Sequence, residues 1–101
     1  YTLYCASKGA LDSAMRALAL ELAPDIRVNS LLLGAIETPL SQQSFADLEI
    51  KQNFLDDYPL GIGEMRDAAT AIKFLISSDA KWITGQQIVV DGGRTINMSP
   101  K

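Results

Sequence analysis

Hydrophobic and polar positions divide the chain into alternating helical and extended segments. From about Leu3 to Ala23, alanine and leucine dominate, and Pro24-Asp25 stops the pattern, as a proline just past a helix does. Thr2 is the available cap. At about 100° per residue, Tyr4, Lys8, Leu11, Met15, Leu18 and Leu22 share one stripe, which is expected to face the core. Ala6, Ala10, Ser13, Ala14 and Ala17 make a second face of small side chains. That face suits close approach of another helix or subunit, or it reflects only the helix propensity of alanine.

Ile26 to Leu33 is short, β-branched at its start and almost entirely apolar at its end, which predicts a buried strand of a parallel sheet. A helix that turns at Pro-Asp straight into such a strand is half of a βαβ unit. Gly34 breaks the strand, and Ala35 to Pro39 form a loop at its carboxyl end, where open α/β sheets bind ligands. Ser41 to Tyr58 is more polar, with Phe45, Leu48, Phe54 and Leu55 at loose helical spacing. It reads as one or two short helices in a mobile lid, closed by Pro59-Leu60-Gly61-Ile62-Gly63. Asp67 to Ser78 is a second amphipathic helix and Gln86 to Val90 a second buried strand. Asp91-Gly92-Gly93 is a tight turn with positive φ, and residues 94–101 are expected to be a frayed tail.

Composition narrows the classes. With 101 residues, 48% of them hydrophobic, the chain fits a single partial domain, residues 1–101, and leaves no room for two. Its net charge is −3 and no like-charge run exceeds Asp56-Asp57, so a nucleic-acid partner is not expected. Histidine is absent and Cys5 is the single cysteine, which excludes His-dependent triads, zinc sites built on Cys and His, and an intramolecular disulfide. No metal is expected, and a reducing, cytoplasmic setting is the default. No apolar run approaches the roughly 20 residues of a membrane helix, and no basic segment opens the chain, so neither a membrane partner nor export is expected. The start at Tyr1, already in a helical pattern, is what a cut piece would show.

The informative pair is Tyr4 and Lys8. Four residues apart on a helix, phenol and ammonium lie on the same side, here in line with the apolar stripe. A free tyrosine, with a pKa of about 10, exchanges protons poorly near neutrality; a nearby cation favours the phenolate and brings it toward the working range. The spacing suits acid/base chemistry on an alcohol or carbonyl. Equally, Tyr-x-x-x-Lys arises by chance, and a lysine near a helix start is commonly a snorkelling surface residue.

The neighbouring segments add to this pair. Tyr4-Cys5-Ala6-Ser7-Lys8, Arg27-Val28-Asn29-Ser30, Gly34 to Pro39, Ile83-Thr84-Gly85-Gln86 and Val89-Val90-Asp91-Gly92-Gly93 stand in this order over nearly the whole chain. Together they closely resemble the carboxyl-terminal portion of the classical short-chain dehydrogenase/reductase family. The resemblance implies an α/β fold, the carboxyl-terminal part of a doubly wound, Rossmann-like parallel sheet. It implies NAD or NADP as cofactor and hydride transfer between a carbonyl and an alcohol. Tyr4 matches the family's acid/base, and Lys8 matches the lysine that tunes it and hydrogen-bonds the nicotinamide ribose. The loop with Gly34, Ile36 and Thr38 matches the one that meets the cofactor. A small carbonyl or alcohol substrate is implied, 3-oxoacyl-carrier-protein reduction being the commonest assignment and a sugar or other small ketone the competitor. A homo-oligomer, dimer or tetramer, is expected of the parent protein.

Some positions depart from the family pattern. Leu33-Gly34 stands where Pro-Gly is usual, so the loop loses a fixed φ, and Met65 stands where a helix-starting proline is common. A glycine-rich pyrophosphate turn and the family's upstream serine and asparagine are not among these residues. The 101 residues alone are therefore expected to be inactive. A rival reading from another class is a non-catalytic oligomerisation remnant resting on the small-residue face. A third, a Cys5-dependent redox protein, has only a lone thiol behind it. Asn29 is expected to be a satisfied core amide, and Cys5 and Trp82 are expected to serve packing.

Overall fold

The computed structural model describes residues 1–39 and 42–97, the side chain of residue 44 excepted. In chain order these residues form α1 (Thr2–Leu22), β1 (Ser30–Leu33), β2 (Ile36–Glu37), α2 (Gln42–Phe45), α3 (Leu48–Asp57), β3 (Gly63–Glu64), α4 (Met65–Ile76) and β4 (Gln87–Val90). Short 3-10 turns lie at Ser78–Ala80 and Arg94–Ile96. Position 41, the expected start of the lid, and positions 98–101 of the expected frayed tail lie outside the described residues; the tail begins in the ordered turn at Arg94–Ile96.

β1 pairs with β4. Amides of Gly85, Ser30 and Gly34 donate to the carbonyls of Val28 (2.7 Å), Gln86 (2.9 Å) and Val90 (3.0 Å). These rungs climb both segments in the same direction, as a parallel pair requires. Both strands are shorter than the sequence predicts, and neither is fully buried: Leu32, Leu33 and Val89 are exposed. The reason is topological, since among the described residues each strand has a single neighbour. The loops expected around Ile36 and Gly63 also differ from expectation. They pair as parallel β2 and β3, with Ile36 opposite Gly63 and Glu37 opposite Glu64.

The chain divides into two compact units. The first holds residues 1–31 and 74–88. Here α1 buries Ala19 and, of the stripe through Tyr4 and Lys8, Met15 alone; Leu11 on that stripe is 63% exposed. What sets the rotation of the helix is polar and steric. The Asp12 carboxylate pairs with Arg16 at 2.7 Å and accepts from the Gln87 side-chain amide, while Ala19 lies against Gly85, where an added Cβ would come within 3.5 Å of it. Ahead of β1 the backbone is held by side chains in place of a ladder. The Arg27 guanidinium donates to the carbonyls of Ile83 (3.3 Å) and Ser77 (3.2 Å). Asn29 donates to the Ile83 carbonyl and accepts from the Gln86 amide, each at 3.0 Å. The half-buried Asn29 amide is thus satisfied at both ends. Trp82 is 98% exposed and Cys5 is exposed too, so neither fills a core position as the sequence suggests.

The second unit holds residues 32–73 and 89–101. Asp47 caps α3 by accepting from the amides of Glu49 (2.9 Å) and Ile50 (3.3 Å). Phe45, buried, meets Phe54 edge-on with ring centroids 5.2 Å apart, and Phe54 stacks with Tyr58 at 6.3 Å. α4 begins at Met65, ahead of the predicted Asp67, because the Asp67 carboxylate reaches back to accept the Glu64 amide at 2.7 Å, the reciprocal half of a capping box. At the end of β4, Gly92 and Gly93 take the positive φ that the tight turn predicts, +59° and +88°.

Two predictions follow from these contacts. Replacing Asn29 by alanine removes both bridges, leaving the Gln86 amide without its partner and the Ile83 carbonyl with Arg27 alone, a loss of about 1–3 kcal/mol. A denaturant midpoint unchanged from wild type would contradict the bridging role. At the turn, the Thr95 backbone amide, then its hydroxyl, hold the Asp91 carboxyl below its ordinary value. A carboxylate lowered in the folded state stabilises above its unfolded pKa, and that contribution is lost as pH falls through the lowered folded value. The Thr95 amide resonance therefore titrates below the ordinary carboxylate range and becomes flat there in Asp91→Asn.

Candidate active site

Helix α1 supplies the first group. Its one-turn spacing brings Lys8 Nζ to 5.6 Å from the Tyr4 ring centroid. Tyr1 stands edge-on to the same ring at 6.4 Å, and Ser7 Oγ turns back to the Tyr4 carbonyl at 2.7 Å. Among the described residues no carboxylate forms an ion pair with Lys8, while Tyr4 is 60% exposed. The pair is a phenol beside an uncompensated ammonium, open to an incoming molecule. The ammonium offers three hydrogen-bond donors beside the ring.

The second unit carries the loop with Gly34, Ile36 and Thr38. The Gly34 amide closes the last rung to Val90, and the next amide, that of Ala35, donates to the Tyr58 hydroxyl at 3.0 Å. Ile36 is locked opposite Gly63 in β2, and the Thr38 carbonyl accepts from the Gln42 amide at 3.0 Å, which starts α2. Gly34 is required by packing: a Cβ there would lie 2.7 Å from Tyr58 Cε1 and 2.9 Å from Asp91 Cα. The loop lacks the proline of the family pattern, yet backbone pairing and this close approach hold it.

Beside the loop lies a cavity of about 300 Å³ lined by residues 34–36, 60–63 and 90–92 with Asp67. Its two carboxylates already serve backbone amides: Asp67 that of Glu64, and Asp91 those of Gly93 (3.0 Å) and Thr95 (2.9 Å). The remaining lining is backbone, glycine and aliphatic side chain. Thr38 is not part of it. Among the described residues no cluster of carboxylate or thiol side chains has the geometry to hold a metal ion, and no helix is long and apolar enough to cross a membrane.

Sequence reasoning missed the hydroxyl of Tyr58, which it treated only as the end of the lid, and the guanidinium of Arg27. No local pattern announces either, because each partner lies more than twenty residues away. The capping carboxylate of Asp67 was legible in principle as an acidic residue in the first turn of a helix.

The family model described as enoyl-(acyl carrier protein) reductase matches residues 1–95. A tropinone reductase homolog of Arabidopsis thaliana is 42% identical over 98 residues, covering 95% of this chain and 37% of its own length. A glucose 1-dehydrogenase of Gluconobacter oxydans is 44% identical over 98 residues, with the same two coverages, 95% and 37%. Among solved structures, a 4-hydroxyisoleucine dehydrogenase mutant complexed with NADH and succinate superposes with a TM-score of 0.86 at 35% identity, over 95% of this chain and 40% of that one. A 2-deoxy-D-gluconate 3-dehydrogenase homologue of Agrobacterium tumefaciens with bound NADP gives 0.83 at 33% identity, over 93% and 39%. The chain belongs to the short-chain dehydrogenase/reductase family, and it carries part of the Rossmann-like parallel α/β fold of those dehydrogenases. It spans 37% of the length of the two curated relatives.

The two glycines in contrasting surroundings make a direct check. Gly34→Ala is expected to destabilise by about 1–3 kcal/mol through overpacking. Gly9→Ala, at a helical site with nothing within 4 Å of the new methyl, is expected to stabilise by roughly 0.5–1 kcal/mol. Thermal midpoints that shift in the same direction would contradict this reading of the loop.

Proposed function

We propose that these residues belong to an NAD(P)-dependent oxidoreductase that interconverts a carbonyl and an alcohol, with Tyr4 as its acid/base and Lys8 as the cation that supports it. The observation that carries the proposal is the Lys8 ammonium 5.6 Å from the Tyr4 ring centroid on an exposed helix face, unpaired by any described carboxylate.

The residues fit a nicotinamide dinucleotide. Lys8 retains donors for ribose hydroxyls, and the 34–38 loop adds backbone polar groups and the Thr38 hydroxyl beside a cavity whose glycines leave the backbone approachable. When bound, the nicotinamide supplies or accepts the hydride at the substrate carbon. In reduction Tyr4 gives its hydroxyl proton to the substrate oxygen, and in oxidation it takes that proton back, so a carbonyl becomes a secondary alcohol or the reverse. Lys8 stabilises the negative charge left on the Tyr4 oxygen and holds the ribose. Gly34, Ile36 and Thr38 position the cofactor. The two superposed dehydrogenases, one with NADH and one with NADP, support either cofactor.

The substrate reading has two forms. The description of the matching family model, an enoyl-(acyl carrier protein) reductase, supports an acyl thioester as substrate class, and within it the proposed carbonyl chemistry would be 3-oxoacyl-carrier-protein reduction. The names of the glucose and 2-deoxy-D-gluconate dehydrogenases support a sugar or other small hydroxylated ketone. Rates of the full-length protein on a 3-oxoacyl thioester and on keto sugars separate them. The exposed small-residue face of α1 supports a homo-oligomer.

In the full-length protein, Tyr4→Phe and Lys8→Met are each expected to lower kcat by about 10²–10⁴-fold, the usual yield of a positioned proton-transfer group. The 101-residue chain alone is expected to give no steady NAD(P)H consumption. Wild-type rates in Tyr4→Phe would refute the assignment.

A further inference from the structure

Three hydrogen-bond and packing observations converge on Tyr58. Its hydroxyl accepts the Ala35 amide at 3.0 Å. Its ring occupies the space that any side chain at residue 34 would need, 2.7 Å from an added Cβ. Its ring also stacks with Phe54, which meets the buried Phe45, so an aromatic row runs from α2 through α3 to the 34–38 loop. The Tyr58 backbone is fixed as well: its amide donates to the Phe54 carbonyl (3.1 Å), and its carbonyl accepts the Gly61 amide (2.8 Å).

We propose that Tyr58 is the positioning residue of the cofactor loop: it holds the backbone of Gly34 and Ala35 in place where the family pattern relies on a proline, and it ties the helices of the lid to that loop. This rests on the dinucleotide reading above. The Ala35 amide lies between two backbone-anchored points, Gly34 on Val90 and Ile36 opposite Gly63. With its partner gone, that amide must turn toward water, and the peptide between the two anchors loosens. Neither Tyr58 nor its ring partners donate to the cofactor or touch the reacting atoms in this account. Their effect is to reduce the freedom that the loop loses on binding. Because the ring is shared with the Phe45–Phe54 row, lid packing and loop order are linked.

The test uses the full-length protein with NADH and NADPH as probes. Binding is measured by nucleotide fluorescence, and exchange of the Ala35 amide is measured without nucleotide. Tyr58→Phe keeps the ring and removes only the hydroxyl. It is expected to raise the dinucleotide Kd by about three- to tenfold, the equivalent of one neutral hydrogen bond, and to speed Ala35 exchange by a similar factor. The loss falls on KM for the nucleotide more than on kcat. Phe54→Leu keeps the hydroxyl and loosens the row, and it is expected to shift both readouts in the same direction by less. Wild-type affinity and Ala35 protection in Tyr58→Phe overturn the inference while leaving the dinucleotide reading intact. Wild-type protein that binds neither nucleotide overturns both.

Discussion

The parallel pairing of β1 with β4 is the constraint on which the other features depend. At its amino end the ladder opens with the Gly85 amide on the Val28 carbonyl, and side chains flank that rung: Arg27 and Asn29 take up the Ile83 carbonyl, and Asn29 the Gln86 amide. At its carboxyl end the last rung, Gly34 to Val90, leaves two departing segments side by side. One becomes the 34–38 loop and the other the Asp91-Gly92-Gly93 turn, and the cavity opens where they diverge. This is the position at which parallel α/β sheets bind their ligands. Glycine at residue 34 follows from the same crowding, since Tyr58 and Asp91 leave no room for a methyl group.

The chemistry of α1 obeys a separate and simpler rule. One helical turn sets the relation between Tyr4 and Lys8 whatever else the chain does. What tertiary structure adds is the rotation of the helix about its axis. With Asp12 held by Gln87 and Ala19 against Gly85, the Tyr4 side is left open. The apolar stripe is thus buried at Met15 and open at its phenol-and-ammonium end. Membership of the short-chain dehydrogenase/reductase family supports the acid/base role proposed for that open pair.

Features governed by short-range rules were legible in the sequence. The span of α1 differs from expectation by a single residue at each end, and the glycine turn after β4 adopts the positive φ that its composition demands. The order of helices and strands, and the Tyr4–Lys8 spacing, likewise need only periodicity. Features decided by long-range partners were not legible. Two-residue strands such as β2 and β3 carry no alternation to detect and exist only because Ile36 and Gly63 meet. The burial of β1 was overestimated because an apolar strand predicts neighbours on both sides, and one is present among the described residues. Tyr58 gave no signal at all, since its hydroxyl finds Ala35 through the fold. Trp82 shows the converse, a large apolar side chain whose type suggests packing and whose position is open to solvent.

In the proposed reaction Tyr4 and Lys8 serve hydride exchange between a nicotinamide and a carbonyl. The most direct measurement follows the label: full-length protein is given reduced nicotinamide dinucleotide deuterated at C4, with a 3-oxoacyl thioester or keto sugar, and the product alcohol is examined by mass and NMR. Deuterium is expected on the carbinol carbon from one face of the nicotinamide only, with the hydroxyl proton drawn from solvent, and the labelled alcohol is expected to form about 10²–10⁴-fold more slowly in Tyr4→Phe. Alcohol formed without deuterium at that carbon, or formed at the wild-type rate by Tyr4→Phe, would contradict the assignment.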